Sequence, residues 1–411
     1  MSDENQIITF GCRTNLYESE VMRESLKNTG VTNAIIFNTC AVTSEAERQA
    51  KQAIRKARRE NPGKRIIVTG CAVQVDPKKY EAMPEVDNVL GNNEKLHSHN
   101  WLKINTERAQ VNDIMQLKET AMHMTESFDG RTRAFLQMQN GCNHRCTFCI
   151  IPYGRGNSRS APLGDVVDAA KRLVDKGYKE IVLTGVDLTD YGLDLPGQPK
   201  LGDAMRRLLN LVPDLPRLRL SSVDPAAIDD GVFELLATEK RLMPHLHISL
   251  QAGDDMVLKR MKRRHLRDDV FKFIERARAA RPDVVFGADI IAGFPTEDDE
   301  MFENTRKLVE ETGLAYLHVF PYSQRSGTPA AKMPQMPKEI RKQRAAILRA
   351  EGQKNLQKFL NSRIGKTETV LIESDGKGRT EHFAEVKING EAGEIKELKI
   401  TASEKDYLLA A

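Results

Sequence analysis

Three cysteines of this 411-residue chain are spaced closely enough to bind a metal cluster. Cys142, Cys146 and Cys149 form the sequence CNHRCTFC, in a loop that follows an apolar, strand-like run. Three thiolates on one loop can each bind one iron of a four-iron cluster, which leaves the fourth iron open to an outside ligand. A zinc site with His144 as the fourth ligand, or purely structural thiols, are the alternatives.

The open iron is the chemically important feature of such a loop. S-Adenosylmethionine can chelate it through its amino and carboxylate groups, which brings the sulfonium within range of one electron. Cleavage of the carbon–sulfur bond then yields a 5′-deoxyadenosyl radical, and the protein's task is to position and shield the reacting groups. The spacing therefore predicts that Cys142, Cys146 and Cys149 are both metal ligands and catalytic residues.

The other three cysteines, Cys12, Cys40 and Cys71, lie far apart along the chain but share a local setting. Each ends an apolar run, in ITFGC, IIFNTC and IIVTGC. Because the carboxyl ends of parallel strands meet at one edge of a sheet, we expect these cysteines to be neighbours. Buried strand-end cysteines are the structural alternative. Beside a CxxxCxxC sequence, a second three-cysteine cluster is the preferred interpretation.

The elements that would position these cysteines predict an α/β protein in three parts. Residues 6–71 alternate strand and helix as βαβαβ, which predicts a parallel sheet, and residues 96–130 are predicted to be a linker or a poorly packed edge. From residue 133 six strand–helix units follow, with strands at 133–139, 180–186, 217–222, 245–251, 284–294 and 315–323. Six units predict a (β/α)6 partial barrel, since a full barrel needs eight. Strand-like runs at 368–373 and 382–388 predict a small antiparallel β-barrel at the end.

Composition limits the class of protein. The hydrophobic fraction of 40% can form cores, and no apolar run is long enough for a membrane helix. The first residues do not resemble a signal peptide, so a cytoplasmic location is expected, where cysteines seldom form disulfides. The net charge of +4 is compatible with an RNA partner without requiring one.

The cysteine sequences together resemble those of the methylthiotransferase family of radical S-adenosylmethionine enzymes. TFGCRTNLYESE, FNTCAVTSEAERQA and TGCAVQ occur here with GCNHRCTFCIIPYGRGNSRS, and the resemblance covers nearly the whole chain. It implies a cluster domain at 1–120, a radical domain at 128–362 and a TRAM-like β domain at 363–411. It also implies two [4Fe–4S] clusters and S-adenosylmethionine as cofactors.

The flavour of the motifs indicates a subgroup. GCRTNLYESE, RLRLSSVDP and LHISLQAGDDMVLKRMKRRH are similar to the subgroup that acts on N6-threonylcarbamoyladenosine beside the tRNA anticodon. The implied product is the 2-methylthio derivative. Alternatives are isopentenyladenosine in tRNA, an aspartate of a ribosomal protein and, from another class, a non-catalytic iron–sulfur carrier.

The resemblance implies that S-adenosylmethionine is used twice. One molecule would methylate a sulfur held at the Cys12, Cys40 and Cys71 cluster. A second would be cleaved at the other cluster, and its radical would activate C2 of the base.

Two departures weaken the match in detail. Ala252 stands where relatives often have serine, and the last domain is short. From residue 365 onward there are seven Lys and Arg against ten Asp and Glu, a net −3. An acidic tail is an unusual RNA-binding element, which keeps the ribosomal-protein substrate open.

Further candidate residues lie outside the cysteines, and an ordinary structural role stays open for each. Those that could contact S-adenosylmethionine occupy strand ends of the partial barrel, and they are Thr184, Gly185, Ser249, Gln251, Asp289 and Gly293. Those that could contact RNA are basic, and they are Arg48, Lys51, Arg55 and Arg58 on one helical stripe, with Arg155 and Arg159 after the cysteine loop. Aromatic candidates for stacking on the flipped base are Tyr17, Tyr153 and Tyr191. The expected partner is the tRNA anticodon stem-loop, and a monomer is favoured.

Overall fold

The computed structural model describes residues 5–27, 29–119 and 131–411. These residues form two compact units, and each unit draws on separate stretches of the chain. The first contains the described residues before position 120, together with Gln137–Ala161 and Ser323–Ala331. The second contains residues 131–136, Pro162–Tyr322 and Lys332–Ala411. The predicted domain boundaries remain predictions, and those at 120 and 128 lie outside the described residues.

The first unit is built on a five-stranded parallel sheet whose strands follow chain order. Its central strands are apolar throughout and buried on both faces, as parallel strands covered by helices must be. The strands are β1 (Gln6–Thr9), β2 (Ala34–Thr39), β3 (Arg65–Gly70), β4 (Asn88–Leu90) and β5 (Ala109–Gln110). The helices are α1 (Arg13–Lys27), α2 (Ser44–Glu60), α3 (Cys71–Val75), α4 (Pro77–Glu81) and α5 (Ser98–Leu102).

The described part of the predicted linker is instead part of this unit. Trp101 on α5 is fully buried against Met22, Ile36 and Ile67 in a hydrophobic cluster. The short strand β5 extends the sheet beside β4. The prediction of a linker is therefore wrong for residues 98–116. The sequence pattern is weak there because a two-residue strand and a five-residue helix carry no periodicity.

The second unit contains the predicted six strand positions, all parallel. Two sheets supply them, in the orders β10-β9-β6 and β11-β12-β13-β14. The strands are β6 (Arg133–Gln137), β9 (Glu180–Thr184), β10 (Arg217–Leu220), β11 (Ser222–Val223), β12 (His245–Gln251), β13 (Val285–Ala292) and β14 (Tyr316–Pro321). Between β6 and β9 the chain passes through the first unit, where β7 (Gln139–Asn140) pairs with β8 (Arg159–Ser160) and α6 spans Ile151–Arg155.

Helices follow the barrel strands as the sequence predicts. Each of the longer ones buries an apolar stripe, as in α8, where Ala204, Met205, Leu208 and Leu209 are buried. The helices are α7 (Leu163–Asp175), α8 (Leu201–Leu211), α9 (Asp230–Thr238), α10 (Asp255–Met261), α11 (Arg267–Ala280), α12 (Asp299–Thr312) and α13 (Lys338–Asn361).

The chain ends in a closed five-stranded β-barrel, in the order β15-β16-β17-β19-β18. Its strands are β15 (Thr367–Ser374), β16 (Lys377–Thr380), β17 (Glu385–Lys387), β18 (Ile395–Ser403) and β19 (Tyr407–Ala410). The predicted small barrel is confirmed, but β17 and β19 pair in parallel. An odd number of strands cannot close with every neighbouring pair antiparallel, so one parallel pair is required.

A buried charge cluster lies where this small barrel meets the amino-terminal ends of the barrel strands. Glu180 is fully buried, and both its oxygens accept hydrogen bonds from Arg219, at 2.8 and 3.1 Å. Arg133 and Arg217 approach the same carboxylate at 3.7 and 3.9 Å. The arginines also reach the small barrel, since Arg217 donates to the carbonyl oxygen of Thr369 at 2.8 Å. One carboxylate thus organises three cations that fasten the small barrel.

Among the described residues, no helix combines the length and the apolar character that crossing a membrane requires.

Candidate metal centre

Cys12, Cys40 and Cys71 follow the carboxyl ends of three adjacent parallel strands. Cys12 comes just after β1, Cys40 directly follows β2, and Cys71 is the first residue of α3 after β3. Cys40 and Cys71 are buried, whereas Cys12 is exposed. One edge of the sheet therefore carries all three thiols, one of them open to a ligand from outside.

Two glycines let the backbone pass close to these sulfurs. Gly11 has φ +95°, and a side-chain Cβ there would lie 2.8 Å from the Cys40 Sγ. Gly70 has φ +100°, and a Cβ there would lie 2.3 Å from the carbonyl oxygen of Thr39. Both positions combine a left-handed backbone with contacts that exclude any side chain. The turns that carry the cysteines are thus specified by glycine.

The surroundings of these thiols fit metal ligation. Burial, together with the nearby Cys71, raises the pKa of Cys40 to about 12. Hydrogen bonds to the sulfurs are few and long, with the Val42 N–H at 3.5 Å from Cys40 and the Asn92 amide at 3.5 Å from Cys71. A thiol in such a place becomes a thiolate when a metal ion replaces its proton. Three sulfurs at one edge match a three-cysteine cluster.

The second cysteine loop belongs to the same unit. Cys142, Cys146 and Cys149 lie between β7 and α6, in a segment without regular structure. The loop is held by backbone hydrogen bonds, from Cys142 N–H to Gly156 at 3.1 Å and from Cys149 N–H to Cys146 at 3.0 Å. Three thiols within eight residues on one restrained loop fit a cluster with an open iron.

Helix α6 connects the two cysteine sets. It begins two residues after Cys149 and ends at Arg155. Its Gly154 packs on Cys71, because a Cβ at Gly154 would lie 3.2 Å from the Cys71 Cβ. The Asn92 amide donates to the Gly154 carbonyl oxygen, which fastens the helix to the first cysteine set.

A fully buried polar network lies beside Cys12, Cys40 and Cys71. Glu18 accepts hydrogen bonds from Arg155 at 2.7 and 3.1 Å and from Lys95 at 2.7 Å. Burial alone would raise the pKa of Glu18, but the two cations outweigh it and lower the pKa to about 2. Amide oxygens of Asn15 and Asn38 accept from Arg155 at 2.5 Å and from Lys95 at 3.0 Å.

Sequence reasoning missed most of this network. Glu18 and Lys95 were not singled out, because a charged residue in a helix or loop is usually a surface residue. Arg155 and Arg159 were predicted to contact RNA, but their exposed fractions are 2% and 4%. The Arg155 guanidinium is enclosed by Glu18 and Asn15, and Arg159 donates to backbone oxygens of Asn157 and Arg155. This corrects the RNA-binding prediction for both arginines.

The predicted basic stripe lies on α2. Arg48 pairs with Glu45, and Lys51 lies 3.7 Å from Glu47. Arg55 lies 3.9 Å from Glu85, and Arg58 donates to the Glu85 carbonyl oxygen and to Asp87. These four cations share a helix, but acidic neighbours offset much of their charge.

The predicted cofactor residues lie in the second unit, at or near strand ends. Thr184 ends β9 and Gly185 follows it, while Ser249 and Gln251 lie on β12, with Gln251 at φ +73°. Asp289 is on β13, and Gly293 follows that strand with φ +73°.

Packing explains one of these residues. A Cβ at Gly293 would lie 2.5 Å from the Arg341 side chain, so this glycine has a structural role of its own.

Asp289 is the centre of a group that includes two histidines which sequence reasoning missed. Its Oδ1 is hydrogen-bonded to His247 Nε2 at 3.0 Å and to His318 Nδ1 at 3.1 Å. Burial opposes ionisation, but the two imidazoles hold the pKa of Asp289 well below its usual range. The alternation His245, His247, Ser249 along β12 was the available signal, since residues two apart share a face.

The three candidate stacking tyrosines differ in exposure. Tyr17 and Tyr191 are 4% and 1% exposed, so neither presents a ring face to a base, and the prediction is wrong for them. Tyr153 on α6 is 48% exposed.

Two family models match the chain. Residues 136–309 match the Radical SAM superfamily, and residues 4–91 match the family described as "Uncharacterized protein family UPF0004". The two matches contain the two cysteine sets separately.

Curated relatives align over nearly the whole chain. The chain is 57% identical to the threonylcarbamoyladenosine tRNA methylthiotransferase MtaB of Rickettsia prowazekii, over 98% of the chain and 96% of the relative. It is 37% identical to the enzyme of the same name from Thermotoga maritima, over 90% and 86%. A tRNA-2-methylthio-N(6)-dimethylallyladenosine synthase from Novosphingobium aromaticivorans is 34% identical over 94% and 92%.

Solved structures share the fold at low identity. The radical S-adenosylmethionine methyltransferase TsrM of Kitasatospora setae, with cobalamin and a [4Fe–4S] cluster bound, has a TM-score of 0.57 at 15% identity. That match covers 80% of this chain and 77% of the other.

Proposed function

The chain belongs to the radical S-adenosylmethionine tRNA methylthiotransferases, and from this premise we propose that it adds a methylthio group to C2 of N6-threonylcarbamoyladenosine beside the tRNA anticodon. One observation carries the choice of base. The relative with 57% identity over 98% of the chain is named a threonylcarbamoyladenosine tRNA methylthiotransferase.

The six cysteines have the leading roles in this proposal. Cys142, Cys146 and Cys149 hold the cluster that binds S-adenosylmethionine, and Cys12, Cys40 and Cys71 hold the second [4Fe–4S] cluster. When bound, the first cluster supplies the electron that releases a 5′-deoxyadenosyl radical from S-adenosylmethionine.

The chain's own residues orient and shield this chemistry. Cys40 and Cys71 are buried, so water is kept from two of the three sulfurs of that set, while exposed Cys12 leaves one side open. Gly11 and Gly70 keep the turns tight around the sulfurs. Helix α6 fixes the loop of Cys142, Cys146 and Cys149 relative to Cys71, since Gly154 packs on that residue.

Other roles in the proposal have weaker support. Thr184, Gly185, Ser249, Gln251, Asp289 and Gly293 are proposed contacts of S-adenosylmethionine, supported by their positions at or near strand ends of a barrel. Arg48, Lys51, Arg55 and Arg58 are proposed contacts of tRNA phosphates, in the anticodon stem-loop. The names of the relatives support a tRNA partner, and we propose that the enzyme acts as a monomer in the cytoplasm.

The proposed division of labour follows the predicted domains. Residues 1–120 carry the second cluster, 128–362 the radical chemistry, and 363–411 a TRAM-like accessory barrel. The closed barrel from Thr367 to Ala410 supports the last of these.

A second candidate substrate is dimethylallyladenosine in tRNA. Relatives named tRNA-2-methylthio-N(6)-dimethylallyladenosine synthase align over most of the chain at 33–34% identity. A ribosomal-protein aspartate was the remaining alternative, and it follows if tRNA is unchanged.

Mass spectrometry of tRNA nucleosides from cells with and without the gene tests the proposal. We expect 2-methylthio-N6-threonylcarbamoyladenosine to disappear and its precursor to accumulate. The wild-type chain and a Ser374→Ala control, at an exposed strand end, should restore the product. Cys12→Ala and Cys142→Ala should not. Loss of 2-methylthio-dimethylallyladenosine instead would select the second candidate, and an unchanged tRNA profile would overturn both.

A further inference from the structure

The buried network beside the first cysteine set carries unbalanced charge. Lys95 and Arg155 each lie 2.7 Å from a different oxygen of Glu18, and the exposed fractions of the three side chains are 0%, 2% and 1%. Two cations and one carboxylate leave one net positive charge away from water. Arg159 donates to the Arg155 carbonyl oxygen at 3.0 Å, so a further guanidinium lies at the same place.

The other polar partners of the cations are neutral. Amide oxygens of Asn38 and Asn92 accept from Lys95 at 3.0 and 2.7 Å. The neighbouring carboxylate, Glu94, accepts from Asn112 at 2.7 Å instead. Amide dipoles solvate a charge without cancelling it, and an unbalanced buried charge is costly. The network therefore requires negative charge from another nearby group.

The first cysteine set supplies that group. The Asn92 amide that accepts from Lys95 donates to Cys71 Sγ at 3.5 Å, so one side chain separates the ammonium from the sulfur. Arg155 is close enough to Cys71 and Cys12 to interact electrostatically with both. Three thiolates binding a cluster would thus face the surplus positive charge.

We propose that Glu18, Lys95 and Arg155 are positioning residues that set the reduction potential of the cluster held by Cys12, Cys40 and Cys71. This rests on the proposed function, in which these cysteines hold that cluster. Reduction adds one negative charge to the cluster, so a net positive surrounding favours the reduced form. The potential should therefore follow the net charge of the network rather than its packing.

Variants that move the net charge in opposite directions test this. Lys95→Gln lowers it from +1 to zero and should lower the potential, whereas Glu18→Gln raises it to +2 and should raise the potential. Loss of packing alone would give no such opposition. One intervening amide keeps the ammonium within roughly 9 Å of the sulfur, and at an effective dielectric constant near 20 a unit charge changes the equilibrium by about tenfold. Tenfold corresponds to about 59 mV for one electron.

The measurement uses the full-length chain with Cys142, Cys146 and Cys149 replaced by alanine, so that only the first cluster is reconstituted. Redox titration followed by electron paramagnetic resonance gives the potential, and iron analysis gives the occupancy. Emission of Trp101, the only tryptophan, checks that the unit is folded, since its indole donates to the Lys95 carbonyl oxygen at 2.9 Å.

Two further variants serve as controls. Arg65→Gln removes a charge at the start of β3, at the opposite end of the strand from Cys71, and should leave the potential unchanged. Arg155→Lys keeps the charge while losing the paired hydrogen bonds, and should stay within about threefold of the parent. If Lys95→Gln does not fold, Arg155→Gln replaces it with the same expected direction.

Each outcome decides a separate point. Opposite shifts of about tenfold support the proposal. Equal iron occupancy with no shift, or with shifts of the same sign, overturns it while leaving the cluster assignment intact. A parent chain that binds no iron overturns the cluster assignment, and this inference with it.

Discussion

Replacing Glu180 by glutamine should destabilise the second unit by about 3 kcal/mol at neutral pH. The carboxylate is fully buried, so solvent does not screen its contacts with Arg219, Arg133 and Arg217. Burial opposes ionisation, but Arg219 and the other arginines lower the pKa from an ordinary 4.5 to about 2. A shift of that size is worth about 3 kcal/mol. Breaking a buried ion pair by removing one partner costs a similar 3–5 kcal/mol or so.

The pH dependence has a defined sign. A carboxylate whose pKa is lower in the folded than in the unfolded state stabilises fully above its unfolded pKa, and this stabilisation is lost as the pH falls through the folded pKa. The difference between wild type and Glu180→Gln should therefore be constant above about pH 5.5. It should fall to roughly 1.4 kcal/mol at pH 3.

Urea unfolding followed by far-ultraviolet circular dichroism measures the difference. Glu234→Gln is the matched control, because its partner Arg206 is at 2.7 Å but the carboxylate is 65% exposed. An exposed pair is worth about 1 kcal/mol at most. If Glu180→Gln unfolds at the same urea concentration as Glu234→Gln, the reasoning about the buried cluster is refuted.

Two further outcomes follow from other contacts. Burial would lower the pKa of His382, but hydrogen bonds to Asp283 and a second carboxylate raise it, so this group stabilises fully below about pH 6.5 and its contribution is lost as the pH rises through the raised value. The melting temperature of His382→Gln should thus fall furthest below wild type near pH 6 and approach it at pH 9; a pH-independent gap would contradict this. Gly70→Ala should leave about half the wild-type iron, because its Cβ would meet the Thr39 backbone, while Gly63→Ala, with open space around it, should keep all of it. Equal iron in the two variants would show that the turn tolerates a side chain.

The cysteine positions were predictable because each depends on a short local pattern. Cys12, Cys40 and Cys71 follow apolar runs that had to be parallel strands, and adjacency then followed from topology. The six barrel strands were predictable for the same reason, since helix and strand periods alternate regularly.

The network around Glu18 was not predictable by such means. Its members, Asn15, Glu18, Lys95 and Arg155, are spread over 140 positions and share no periodicity. Long-range pairing turns residues that look exposed into buried ones, and only the folded chain supplies that information. The role of the remaining strand-end candidates stays a prediction.

The parallel pair in the small barrel has a different origin. Two strand-like runs and two turn signals predicted antiparallel pairing, which holds for consecutive strands joined by short turns. Closure depends on the number of strands, and β18 was not recognised in the sequence because Lys and Glu alternate with its apolar residues.

The late segment Ser323–Ala331 gives the first unit a dependence on the order of synthesis. Arg325 pairs with Glu47 at 2.8 Å, and the Ala330 N–H donates to the Thr147 oxygen, between Cys146 and Cys149, at 2.9 Å. A ribosome that has released only the first 161 residues has therefore presented all six cysteines, but not the stretch that braces their loop. Since chains emerge at about 5–20 residues per second, the bracing stretch follows roughly 10–30 seconds later. During that interval the thiols are exposed to oxidants and to competing metal ions, so iron delivery is best timed after residue 331 has emerged.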